Sequence, residues 1–148
     1  MASRKPKPET TLHLTRTFAA PREKVFRAWT EPEELKKWWG PEGYSTPTAE
    51  VDLRAGGTYR LGMMKLPKGD VFYLVGTYRE VRPPEKLVYT WRWESQADLG
   101  ETLVTVEFRD RGNATEVILT HELFPTEKAR QDHDKGWNSC LDRLAKVL

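Results

Sequence analysis

Few side chains in this sequence are of types that do chemistry: three histidines, one cysteine, six tryptophans and five tyrosines. His121 lies in "TEVILTHELF", in phase with Val117 and Leu119, which puts a titratable ring on the apolar side of a strand. Burial there favours the neutral imidazole. Such a ring can orient a ligand in a largely apolar pocket, or it can be a core group satisfied by a nearby hydroxyl or carbonyl. His133 falls on the apolar side of a C-terminal helical pattern, where it packs or caps, and His13, between Leu12 and Leu14, faces water. No two histidines are spaced H-x-x-x-H, none is paired with a carboxylate in a zinc-like motif, and a lone cysteine cannot build a cysteine-rich site, so no metal or other cofactor is implied. Cys140 belongs to an apolar helical stripe, where a thiol stays protonated and behaves as a small hydrophobe. There is no G-x-S-x-G elbow. "AGGTY" lacks the Lys-Ser/Thr of a phosphate loop and introduces no helix, so it reads as a turn or bulge between strands.

What remains is the chemistry of aromatic surfaces. Strand phase places Tyr89, Trp91 and Trp93 opposite the polar set Thr90, Arg92 and Glu94. The same reasoning turns Phe72, Leu74, Gly76 and Tyr78 inward, with Tyr59, Leu61 and Met63, with Val104, Val106 and Phe108, and with Val117, Leu119, His121 and Leu123. The aliphatic members are core. Buried tyrosines and tryptophans need partners for their polar ends, which a pocket can supply, and Gly76 opposite bulky residues leaves room. In "LKKWWGP" the neighbouring indoles of Trp38 and Trp39 point about 100° apart. Trp38, at i+3 from Leu35, is expected to anchor a short helix, and Trp39 to stand at the mouth of a cavity.

These residues need elements to hold them. Residues 11 to 19 alternate as a strand, and "PREKVFRAWT" has helical spacing with proline in its first turn. Thr30-Glu-Pro-Glu33 reads as a capping box opening a second short helix, which Gly40 and Pro41 end. Six alternating segments separated by turn signals follow, the pattern of an antiparallel meander. After Pro125, with Thr126 as N-cap, a stripe of Ala129, His133, Trp137, Cys140, Leu141, Leu144, Ala145 and Leu148 marks a helix of roughly 20 residues, about 30 Å long. Gly136 within it costs roughly 1 kcal/mol relative to alanine, a cost that close approach to a strand or an indole would offset. The economical packing curls the seven-stranded sheet around this helix, and a sheet wrapped on a rod leaves a cavity near the short helices. One α+β domain over residues 10 to 148 follows a solvated tail, 1 to 9. Balanced charge, 24 Lys plus Arg against 22 Asp plus Glu, argues against nucleic acid. The polar N-terminus and the lack of any apolar run of spanning length point to a cytoplasmic protein without membrane insertion.

In order along the chain, "FAAPREKVFRAWTEPEELKKWWGP", "DLRAGGTYR", "GTYREVRPPEKLVYTW" and "HDKGWNSCLDRL" resemble the family named for the C-terminal domain of activators of the heat-shock-protein-90 ATPase. That family is part of the START-like, or SRPBCC, superfamily. The resemblance implies the helix-grip fold, and its superfamily spans lipid carriers, aromatase/cyclases, hormone receptors and pollen allergens. The eukaryotic co-chaperones behind the name carry an additional N-terminal domain that these 148 residues do not include. The leading expectation is therefore an internal cavity for a hydrophobic or aromatic small molecule, lined by Trp39, Tyr59, Met63, Tyr78, Tyr89, Trp91, Trp93, His121 and Trp137. One alternative is a module regulating a heat-shock-protein-90-type ATPase, which would need an exposed docking face. The other is a cyclase- or hydrolase-like enzyme using His121 or a tyrosine as acid/base, which lacks an evident acid/base pair. Monomer and homodimer both remain open.

Overall fold

The computed structural model describes residues 10–95 and 100–148; the expected tail, 1 to 9, and part of the "SQADLG" turn lie outside them. Alternation and helical periodicity give the elements in the expected order. These are β1 (Leu12–Phe18), α1 (Arg22–Thr30), α2 (Pro32–Trp38), β2 (Tyr44–Val51), β3 (Thr58–Lys65), β4 (Val71–Arg82), β5 (Lys86–Trp93), β6 (Thr102–Asp110), β7 (Thr115–Glu122) and α3 (Glu127–Val147). The seven strands form one antiparallel sheet in the order β1-β7-β6-β5-β4-β3-β2. The meander runs through neighbours, while β1 joins the far side by pairing Leu12 with His121 and Phe18 with Thr115. Register shifts between Ser45 and Thr48 and between Tyr78 and Glu80 mark irregularities, the kind that bends strands and deepens the curl of a sheet.

The concave face is the core. Val104, Val106, Leu119 and Leu144 are fully buried, and Leu141 and Val117 nearly so, as the alternation of β6 and β7 and the stripe of α3 require. Thr126 caps α3, its hydroxyl accepting from the Ala129 N–H at 3.1 Å. This is helix-grip architecture, a curved sheet closed on one long helix.

Trp38 has no exposed surface and donates its indole N–H to the Ala28 carbonyl at 2.8 Å, with its ring 4.9 Å from Trp29. It pins α2 to α1. Four sequence expectations change. Thr30 does not cap α2: it completes α1 with its hydroxyl donating to the Phe26 carbonyl, and Glu31, held extended before Pro32, takes the N-cap position. Leu123 is not inward. It adopts φ 73°, is 55% exposed, and passes the inner position to buried Phe124. Ala145 is exposed. Gly76 leaves no room, because Tyr59 already fills it: an added Cβ would lie 2.5 Å from the Tyr59 ring and collide with the Thr90 carbonyl. The missing side chain lets the Tyr59 hydroxyl reach the Thr90 carbonyl, and the Thr77 N–H turns to the Thr90 hydroxyl at 2.8 Å.

Candidate functional site

A cleft of about 600 Å³ opens between α3, the segment joining α2 to β2, and the ends of β3, β4 and β5. Helix α3 presents Ala129, Asp132, His133, Gly136, Trp137 and Cys140 to it. Their spacings of three and four residues put them on one helical face. Strand β5 contributes Trp91 and Trp93, alternate residues on the concave side, while Met63 and Phe72 come from β3 and β4. Trp39, the residue that ends α2, turns its ring to within 6.2 Å of Trp91 and 6.1 Å of Trp93. Trp91 in turn lies 5.3 Å from Trp137. Four indoles thus form a continuous wall. The Trp91 N–H is buried without a hydrogen-bond partner among the described residues.

Gly40, Pro41 and Tyr44 form another part of the wall. Gly40 and Gly43 have φ of 100° and 89°, backbone that glycine adopts without strain. Helix α3 holds this segment: Arg143 donates to the Gly40 carbonyl at 2.7 Å and the Tyr44 carbonyl at 3.2 Å, and Ser139 accepts from the Glu42 N–H at 2.7 Å. At the rim, Lys128 and Asp132 pair with each other at 3.0 Å. Burial pushes the Cys140 thiol up to about 12, so at neutral pH it contributes an inert, small wall atom.

The two inner histidines have defined tautomers. An indole N–H only donates and a carbonyl only accepts. Trp137 donates to His121 Nδ1 at 3.1 Å, so Nε2 carries the proton and meets the Thr102 hydroxyl at 2.7 Å, which donates onward to the Trp91 carbonyl. Trp93 donates to His133 Nε2 at 3.1 Å, and His133 Nδ1 donates to the Ala129 carbonyl at 2.7 Å. The tautomers are opposite and both rings are neutral. Burial holds both below the usual histidine range, and proximity of His133 lowers His121 further. Each ring nitrogen of both histidines has a hydrogen-bond partner within the fold.

Of the nine candidate residues, Trp39, Met63, Trp91, Trp93 and Trp137 border the cleft. His121 does not. It is fully buried, its ring 4.8 Å from that of Trp91 and 6.4 Å from that of Trp137. Tyr59, Tyr78 and Tyr89 also lie elsewhere, around a void of about 20 Å³ beneath α2, room for a single water at most. Their rings pack 5.5 to 5.9 Å apart. The Tyr89 hydroxyl accepts from the Trp29 indole, and burial raises all three phenols above their ordinary range. These tyrosines are core because the short helices cover that end of the sheet. Ala129, His133 and Cys140, all on the apolar stripe read for α3, are among the wall residues absent from the expected set, and so is Gly136, which the stripe did not include.

Among the described residues, no helix is long and apolar enough to cross a membrane, and no group of three potential ligands is placed to hold a metal. The curled sheet, the gripping helix and the cleft between them define the class, a helix-grip domain of the Bet v1 and SRPBCC type. The chain belongs to the family of Activator of Hsp90 ATPase homolog 1-like proteins, whose model matches residues 19–148. It is similar in structure to a Chromobacterium violaceum protein, with 29% identity, 93% of this chain and 96% of the other covered, and a TM-score of 0.83. The AHSA1 protein of Silicibacter pomeroyi is likewise similar, at 29% identity, 93% and 96% coverage and a TM-score of 0.82. An HSP90 activator from Plasmodium falciparum shares 25% identity over 93% of this chain and 95% of that one, with a TM-score of 0.71. No curated protein matches the chain.

Proposed function

We propose that this protein binds a small, predominantly apolar or aromatic molecule in the cleft under α3. One observation carries the reading: about 600 Å³ stays unfilled beside four indoles and Met63, while the rest of the concave face is closely packed. A cleft of this size, with an aromatic and apolar lining and a few polar groups at its rim, matches small-molecule sites. Native mass spectrometry before and after organic extraction should reveal a co-purified apolar species. Titration with 8-anilinonaphthalene-1-sulfonate should change tryptophan emission saturably, because Trp39, Trp91, Trp93 and Trp137 all border the site. No bound species, and no saturable change with this probe or a panel of apolar ring compounds, would sink the proposal.

A second reading is regulation of a heat-shock-protein-90-type ATPase, favoured by the Plasmodium falciparum relative. Leu66, Val71 and Phe72, exposed around the turn between β3 and β4, are the apolar surface such a contact would use. An unchanged ATPase rate of the host chaperone over a full titration would remove it.

A further inference from the structure

We infer that Gly136 is a specificity-determining residue: its missing side chain sets how wide a ring system can lie against α3 in the cleft. The inference rests on the cleft being a binding site and adds which residue selects the ligand and by what property. Glycine in a helix interior costs stability relative to alanine, and two structural causes would account for it. The backbone could need a conformation that only glycine adopts readily, but Gly136 lies within the regular helix Glu127–Val147 and its φ is not positive. A neighbouring element could press too close for a Cβ, as happens at Gly62, where an added Cβ would meet the Thr48 hydroxyl and lie 3.1 Å from the Tyr73 ring. At Gly136, apart from its chain neighbours Lys135 and Trp137 and the backbone of its own helix, an added Cβ would meet nothing within 4 Å. The sequence expectation of a close approach is therefore overturned: the space beside Gly136 is empty, and Gly136 borders the cleft.

The surroundings give that space a shape. One turn before Gly136 stands His133, one turn after it Cys140, and two turns before it Ala129, all on the same wall. The large side chain next to it, Trp137, is committed by its N–H to His121. The helix side of the cleft is thus shallow at Gly136 and aromatic beside it. A planar ring system stacked on the indoles gains from such a recess, whereas a slim alkyl chain fills the cleft without needing it. The ligand class this favours is a flat aromatic or fused-ring molecule.

Gly136→Ala, Gly136→Leu and, as a control on the outer face, Lys135→Ala test this with two probes: 8-anilinonaphthalene-1-sulfonate, which is broad, and the linear fluorescent fatty acid cis-parinaric acid. Gly136→Ala should raise the thermal midpoint by a few degrees, because it improves the helix and collides with nothing. Gly136→Leu should weaken the broad probe by about tenfold or more, as overfilling a packed site does, and the linear probe by under about threefold, with Lys135→Ala altering neither. Equal affinity of wild type and Gly136→Leu for the broad probe overturns the inference and leaves the binding function standing. Equal loss of both probes also overturns it, since Gly136 would then gate volume without regard to shape. A wild-type protein that binds neither probe overturns both readings.

Discussion

Mild acid should destabilise this domain in a window set by its buried histidines. In the folded state His121 is neutral, its Nδ1 lone pair occupied by the Trp137 N–H. Protonation would turn that acceptor into a second donor facing a donor, inside a fully buried site. Burial accordingly holds the folded imidazole well below its ordinary value, while the unfolded chain titrates near pH 6.5. Below pH 6.5 the unfolded state binds a proton that the folded state refuses, so stability is complete above that value and is lost as pH falls. For His121 alone the loss between pH 7.5 and 5.5 is at most about 1.4 kcal/mol, the limit in which the folded ring takes up no proton. His133, also lowered but partly exposed, adds a smaller loss in the same direction. Glu94, lowered by its hydrogen bond to Arg60, titrates below this window. Urea unfolding followed by tryptophan emission at pH 7.5, 6.5 and 5.5 measures the effect. His121→Gln should be less stable than wild type at pH 7.5 yet lose less between pH 7.5 and 5.5. A wild-type stability that is flat across the window, or a variant that falls as steeply as wild type, would refute the reasoning.

Two further substitutions follow from the packing. Gly76→Ala should lower stability by about 2–4 kcal/mol, combining overpacking against Tyr59 with loss of the Tyr59 bond to Thr90; a urea midpoint within error of wild type would contradict it. Arg143→Ala removes the guanidinium that ties the Gly40 and Tyr44 carbonyls to α3. It should speed dissociation of a bound fluorescent probe several-fold in stopped-flow displacement, with a smaller change in association, and an unchanged off-rate would show that this segment does not control exchange.

The element order was legible because each element has a strong period: two in β6 and β7, three and four along α3. Strand phase also revealed which side chains look inward. It could not reveal where along a strand the interior is filled. Tyr59, Tyr78, Tyr89, Trp91 and Trp93 share one phase, yet the tyrosines lie under α2 and the two tryptophans border open space. That division depends on where two short helices dock, which is set by the Trp38 bond to Ala28 and the packing of Trp29. Thr30 misled for a related reason: its spacing to Glu33 fits a cap, but the Phe26 carbonyl one turn earlier takes the hydroxyl. Gly136 showed a cost in sequence, and only the arrangement of neighbours could show the empty space beside it.

The pairing of β1 with β7 has a consequence for synthesis. As Leu12 to Phe18 leave the ribosome, the partners they need, Thr115 to His121, are about a hundred residues away. At about 5–20 residues per second this strand stays unpaired for roughly 5–20 s. Through that interval it is a short amphipathic segment with open hydrogen-bonding edges, the kind that recruits strands from other chains. Arg16 stands in the middle of its apolar side, and its folded-state partners, Asp142 and Asn138, belong to α3 and arrive later still. Until then its charge is unneutralised by them, and a nascent strand with a bare guanidinium on its sticky side is a poor template for a neighbour. The same arginine that fastens the last helix to the first strand can therefore guard that strand while the rest of the chain is made.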